Sequence, residues 1–369
     1  MKKGLLVLVA MFGLVLLVAC GNDRTDEPTS ETDVDETSEV ANATDEEETE
    51  GAEAGSDVVT IVDFEGESIE VRINPTVVAI YDFGVLDILY NVGFERTGIE
   101  TLIIPASTGG LPDSLSYFDG ADFVHNGGTL FYVDHDVLDL IQPELVILGA
   151  RSFGMNAAGD RLEDDDRNAF RDETFARYEE TTWIRLGPGR EINLVQDMTK
   201  NAEVLGQIFP DLADDIQAEL ASILAGIEEV YELASASDST AIFAMMMDAT
   251  SLSVFNPGSR FNMLYEEFGF TAADPDDELE FTDQHGFDVR AEYLLSVDPD
   301  VIFVLDRSNN MIGPGPAFEN ITSDPIVAQT SAGQNDNIFA LDPTSWYTIT
   351  GGFGAARQMI DDLMMYLDQ

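Results

Sequence analysis

Apolar and polar positions change rhythm along these 369 residues, and each rhythm predicts a different element. Residues 58–73 alternate around Glu65-Gly66, which reads as a β-hairpin closed by Pro75. Short apolar runs follow at 77–81, 145–148 and 183–186 and read as buried strands, with helical spacing over 83–92 and 134–141. Leu212, Ile216, Leu220, Ile223, Ile227, Val230 and Ala234 then recur in steps of three and four. They form one apolar stripe over about six helical turns, entered through Pro210-Asp211. A second alternating half has strands at 241–247, 251–255 and 301–305, and helices at 262–268, 291–296 and 355–367. Strands alternating with helices predict α/β layers on mainly parallel sheets. The expected architecture is therefore two α/β lobes joined by one long helix: an N-terminal lobe at 57–195, a linking helical region at 196–236 and a C-terminal lobe at 237–369.

An internal echo supports two related lobes. Asp136 lies seven residues before Pro143, Glu144 follows the proline, and a buried strand runs on to Arg151. In the second half Glu292, Pro299, Asp300 and Arg307 repeat those offsets.

Ahead of the lobes the pattern is different. Lys2 and Lys3 precede an unbroken apolar and small-residue run from Gly4 to Ala19, and Cys20 is the only cysteine. A charged start, an apolar stretch and a small-residue cleavage site read as a secretory signal over 1–19. A cysteine after Leu17-Val18-Ala19 resembles the bacterial lipobox, so Cys20 is expected to carry the lipid (palmitate) that holds the protein at the outside of the cell membrane. Residues 20–56 are rich in acids, Ser and Thr, with Arg24 their only base, and read as a disordered tether. No later run approaches the ~20 apolar residues of a membrane span.

Charge narrows the function. Seventeen basic residues face 71 acidic ones, a formal net charge of −54. Nucleic acid is excluded as a partner. Lys200 is the only lysine beyond the leader. In a chain so poor in cations, arginines near the ends of strands stand out. Ligands of open parallel sheets bind beyond the strands' carboxyl ends, which is where Arg151 and Arg307 fall, one per half. Arg260, in Asn256-Pro257-Gly258-Ser259-Arg260, adds a third after the 251–255 strand. Guanidinium forks suit anionic oxygens, although each could instead pair with a local acid. Arg161, Arg167, Arg171 and Arg177 are interleaved with acids and read as a solvated helix face. Trp346-Tyr347, before Gly351-Gly352, offers aromatic faces either to a ligand or to the core. His125, His135 and His285 lack the spacing of a zinc cage, and the run 163–166 lacks that of a calcium loop. His285-Gly286 is a candidate for the cleft wall. Neither a Gly-x-Ser-x-Gly elbow nor a cysteine nucleophile is present, so an extracellular hydrolase is disfavoured.

Together these features resemble the substrate-binding lipoproteins of bacterial ABC importers for iron–siderophore complexes. The segments Asn256-Pro-Gly-Ser-Arg260-Phe261, Val304-Leu-Asp-Arg307 and Leu341-Asp-Pro-Thr-Ser-Trp346-Tyr347 are most similar to the petrobactin-type (catecholate and carboxylate) binders. The resemblance spans residues 57–368 and implies a class III periplasmic-binding-protein-like fold. It implies iron transport without catalysis or cofactor, by a monomer whose ligand is a ferric siderophore. It assigns ligand contacts to Arg151, Arg260 and Arg307; Trp346, Tyr347 and His285 are the further ligand-binding candidates, read from the residues themselves. It also assigns docking on the ABC permease and ATPase complex to one acid per lobe, here Asp136 and Glu292; the family's usual residue is glutamate at both. His285-Gly286-Phe287 departs from the expected His-Gly-Gln. Receptors for haem, cobalamin or hydroxamate siderophores share the fold and are the alternative reading.

Overall fold

The alternating stretch after the tether folds as the pattern predicts. β1 (Val58–Val62) and β2 (Ser68–Arg72) pair antiparallel, joined through Gly66 at φ 82°. The computed structural model describes residues 57–106, 110–188, 193–246, 251–274, 286–310 and 316–369, all within one compact unit, Gly55–Gln369. Cys20, the leader, the tether and His285 lie outside the described residues.

The first sheet contains β3 (Val77–Tyr81), β4 (Thr101–Ile104), β5 (Val124–Asn126), β6 (Leu145–Leu148) and β7 (Thr182–Arg185). Its order is β5-β4-β3-β6-β7 and every pair is parallel. The interior strand β6 is buried along its whole length, as expected of a sheet covered on both faces. β4 and β5 have no clear alternation and were not anticipated from the sequence. Helices α1 (Phe83–Asn91), α2 (His135–Ile141) and α3 (Asp164–Arg177) flank this sheet in the chain. The carboxylate run 163–166 is the N-terminal end of α3, with Glu163 at the N-cap and Asp164–Asp166 in the first turn. There the positive end of the helix dipole favours acids.

The linking region holds α4 (Leu194–Ile208) and then the one long helix, α5 (Ala213–Ser235), separated by a 3₁₀ turn at Pro210–Leu212. Pro210 lacks the N–H that a continuous helix would need. All seven residues of the predicted stripe on and before α5 are buried, each Leu, Ile or Val contributing about 1.5–3 kcal/mol of transfer free energy.

The second sheet is mixed. It comprises β8 (Thr240–Met246), β9 (Leu252–Phe255), β10 (Thr271–Ala272), β11 (Phe287–Val289), β12 (Val301–Asp306) and β13 (Ile338–Leu341). The order is β11-β9-β8-β12-β13, with β10 beside the start of β8. β8, β12 and β13 are mutually parallel, whereas β9 runs antiparallel to both β8 and β11. Helices α6 (Met263–Glu266), α7 (Ala291–Val297), α8 (Ala317–Ser323), α9 (Ser331–Gln334) and α10 (Phe353–Leu367) complete the fold.

The internal echo is visible in the backbone. α2 and α7 each have seven residues and end in a left-handed residue before proline, Gln142 at φ 55° and Asp298 at φ 46°. One continuous apolar cluster runs from Ile80 and Ile147 through Ile227 of α5 to Phe243, Trp346 and Phe353. The two halves therefore share a core.

Candidate functional site

β13 leads into a π-helical turn, Thr344–Thr348, closed by the Ile349 N–H donating to the Thr344 carbonyl at 2.9 Å. Such turns are rare and concentrate at functional sites because they re-aim successive side chains. Trp346 is fully buried against Phe243 and Phe268, and its Nε1 donates to Asp362 Oδ2 at 2.9 Å. It is a core residue beneath the site, not one of the ligand-facing aromatics expected from the sequence: its one polar atom is already used inside. Its neighbour Tyr347 is half-buried and sits among arginines.

Three guanidiniums surround that tyrosine. The Cζ atoms of Arg260, Arg307 and Arg151 lie 4.2, 5.1 and 5.5 Å from the Tyr347 ring centroid. The Tyr347 carbonyl accepts from Arg151 Nη2 at 2.5 Å and Arg260 Nη2 at 3.2 Å, and the Thr348 carbonyl accepts from Arg151 Nη1 at 3.3 Å. Arg151 and Arg260 form no ion pair among the described residues, so pairing with a local acid does not account for either.

The elements deliver these arginines by two routes. Arg151 and Arg307 follow the carboxyl ends of parallel strands β6 and β12, as the strand-end argument predicts. Arg260 does not, because β9 is antiparallel to β8. The Asn256–Arg260 turn brings it back instead, and Phe261 anchors it by stacking on Phe243 with centroids 4.0 Å apart. On this turn the Nε of Arg260 and both amide atoms of Asn256 are buried without a hydrogen-bond partner. Each such group costs about 1–3 kcal/mol if left unmet.

Asp82 lies under the first-lobe side. It is the N-cap of α1, accepting from the Val85 N–H at 3.1 Å. Its Oδ2 is so close to the backbone ends of β6 and β7 that a Cβ on Gly149 or Gly187 would fall 2.5 or 2.6 Å away. Burial pushes the Asp82 carboxyl up, opposed by hydrogen bonds to α1 and by the charge of Arg151.

Electrostatically the site is short of anions. Burial, then the charges of Arg151 and Arg307, hold Arg260 down to about 10. Arg151 is lowered as well, mainly by burial, against the pull of Tyr347 and Asp82. Burial raises the Tyr347 phenol, but the three guanidiniums outweigh it and hold the phenol below the usual tyrosine value. A multiply charged anion placed here would relieve all three shifts.

The remaining sequence candidates lie elsewhere or have other partners. Asp136 and Glu292 are exposed in the first turns of α2 and α7. Arg185 pairs with Glu65 of the hairpin at 3.0 Å. Arg177 pairs with Asp139 and Arg171 with Asp172. His125 is exposed on β5, and His135 Nε2 contacts Thr174 Oγ1 at 2.9 Å. Among the described residues no three His, Cys, Asp or Glu side chains are placed to hold a metal. Phe287, where glutamine was expected, is built into the β11–β9 pairing opposite Val254.

The sequence of residues 133–344, more than half of the chain, matches the model of a periplasmic binding protein family. The chain belongs to that family. This periplasmic binding protein is 26% identical over 364 residues to petrobactin-binding protein YclQ of Bacillus subtilis (strain 168), with 98% of each chain covered. The crystal structure of YclQ superposes with a TM-score of 0.70 at 25% identity, covering 85% of this chain and 100% of that one. The periplasmic catecholate-siderophore binding protein VctP from Vibrio cholerae shares the fold, with a TM-score of 0.68 at 21% identity over 84% of this chain and 99% of its own. No described helix is long and apolar enough to cross a membrane.

Proposed function

We propose that this chain captures an anionic ferric siderophore of catecholate or mixed catecholate–carboxylate type outside the cytoplasm and delivers it to an ABC importer. The observation that carries the reading is the convergence of Arg151, Arg260 and Arg307 on Tyr347. Three permanent cations supply forked donors to catecholate and carboxylate oxygens, and the tyrosine ring offers a flat face beside them. A neutral hydroxamate complex would leave those cations uncompensated, which disfavours that alternative. The name of the Bacillus relative, covered end to end, points to the same ligand class.

A ligand of this kind approaches a chain of net charge −54. Screening limits that repulsion to about 8 Å at physiological salt, so the local triad dominates at contact. Lipidation of Cys20 would keep the protein at the membrane surface without a spanning helix. Asp136 and Glu292, exposed on equivalent helices of the two lobes, are the proposed contacts to the permease, with the protein acting as a monomer.

Binding of ferric petrobactin, a ferric hydroxamate and cobalamin, followed by intrinsic fluorescence, tests the ligand class. Single substitutions Arg151→Ala, Arg260→Ala and Arg307→Ala are each expected to weaken ferric petrobactin binding by about ten- to a hundredfold, the loss of one charge-assisted hydrogen bond. Unchanged affinity in all three, or binding of only the neutral ligands, refutes the reading.

A further inference from the structure

Arg151 projects from a turn whose geometry is hard to hold. Phe153, two residues on, is fully buried at φ 63°, a left-handed conformation that bulky side chains adopt only when their surroundings impose it. Its ring is held by Phe170 and Phe175 of α3 at centroid distances of 5.6 and 6.1 Å. Within the turn the Gly149 N–H donates to Ser152 Oγ at 3.1 Å, and the Gly154 N–H donates to the Arg151 carbonyl at 3.1 Å.

One further group fastens this turn from outside. Arg167, in the first turn of α3, donates from Nη2 to the Ala150 carbonyl at 2.6 Å and to the Ser152 carbonyl at 2.8 Å. Those carbonyls belong to the residues on either side of Arg151. We propose that Arg167 is a positioning residue: it clasps the peptide flanking Arg151 and holds that guanidinium aimed across the cleft at Tyr347 and the bound anion. Arg167 itself does not touch the ligand.

Two physical reasons favour this role over simple surface charge. Hydrogen bonds from a cation to carbonyls are stronger than neutral ones, and here both converge from one nitrogen on a turn containing a strained residue. A side chain fixed before binding also spares the entropic cost of ordering a long flexible chain on binding. Arg171 and Arg177, on the same helix, point their charges at Asp172 and Asp139 instead.

The inference rests on the ligand reading above, and a double-mutant cycle separates the two. Kd for ferric petrobactin is measured at one fixed salt concentration, below the melting range of each protein. The proteins are the wild type, Arg167→Met, Arg151→Ala and the double variant. Methionine keeps the unbranched stem and removes both the charge and the donors; Arg167→Lys is run in parallel as a milder variant if Arg167→Met does not fold. In the wild-type background the loss of Arg167 is expected to weaken binding about tenfold, and in the Arg151→Ala background less than about twofold. An equal loss in both backgrounds, or none in the wild type, overturns the positioning role while leaving the site intact. If Arg151→Ala itself changes nothing, this inference falls, whereas the ligand reading fails only if Arg260→Ala and Arg307→Ala leave the affinity unchanged as well.

Discussion

Tyr347 holds together three like charges that would otherwise repel. Its carbonyl, ring and phenol each face a guanidinium, so the anion-binding groups are arranged before any anion arrives. Phenylalanine at this position keeps the ring and carbonyl but loses the phenol, whereas alanine loses the ring as well. Tyr347→Ala is therefore expected to weaken ferric siderophore binding more than Tyr347→Phe, each lost cation–π contact being worth about 0.5–2 kcal/mol. Equal effects in a titration would show that the ring face contributes nothing. The three arginines were legible because cations are rare in this chain and two of them repeat an offset. The separate fates of Trp346 and Tyr347 were not, since a π-helical turn has no local signature. Arg167 was misread as surface charge: the carbonyls it clasps lie 15 and 17 residues away in sequence.

Between elements, the contact of α1 with the start of α10 fixes the segment that carries Tyr347. Asp87 of α1 is buried and accepts from the Gly354 N–H at 2.7 Å and the Ala355 N–H at 3.3 Å, at the dipole-positive end of α10. Gly352 is required there, because a Cβ would fall 2.4 Å from Asp87 Oδ2. Asn91 and Arg357 also face the carboxylate, yet burial dominates and pushes it up to about 6. A carboxyl with a raised native value binds its proton more tightly folded than unfolded. Stability from this group is thus greatest in acid and declines as pH rises from about 4 to 6, by up to about 3 kcal/mol. Asp87→Asn, which still accepts from the α10 amides, should remove that component. Thermal midpoints of both proteins between pH 4 and 7 would show their difference changing with pH, and a constant difference would contradict the assignment. The sequence pattern placed α1 and α10 but carried no sign that one caps the other.

At the scale of the molecule, the shared core limits motion. The buried stripe of α5 belongs to the same apolar cluster as the inner faces of both sheets, and interiors packed this way resist continuous deformation. The lobes are therefore expected to close only slightly on the ligand, by small rigid-body adjustment. Solution scattering with and without ferric petrobactin should give nearly the same radius of gyration; a large compaction would contradict a preformed cleft. The high negative charge has a consequence at this scale too. Association with an anionic ligand should depend less steeply on the chain's total charge as salt rises and screening shortens.

The sequence alone determined the local rhythm: the hairpin, the strands β3, β6, β8 and β12, the stripe of α5 and the repeated helix–proline–strand unit. These follow from periodicity and from backbone limits at proline and glycine, which act over a few residues. Tertiary structure decided the direction of β9, the burial of Trp346, the capping of α10 by Asp87 and the grouping of four residues between positions 151 and 347. Those depend on which surfaces meet, and distant segments meet only once the core has been packed.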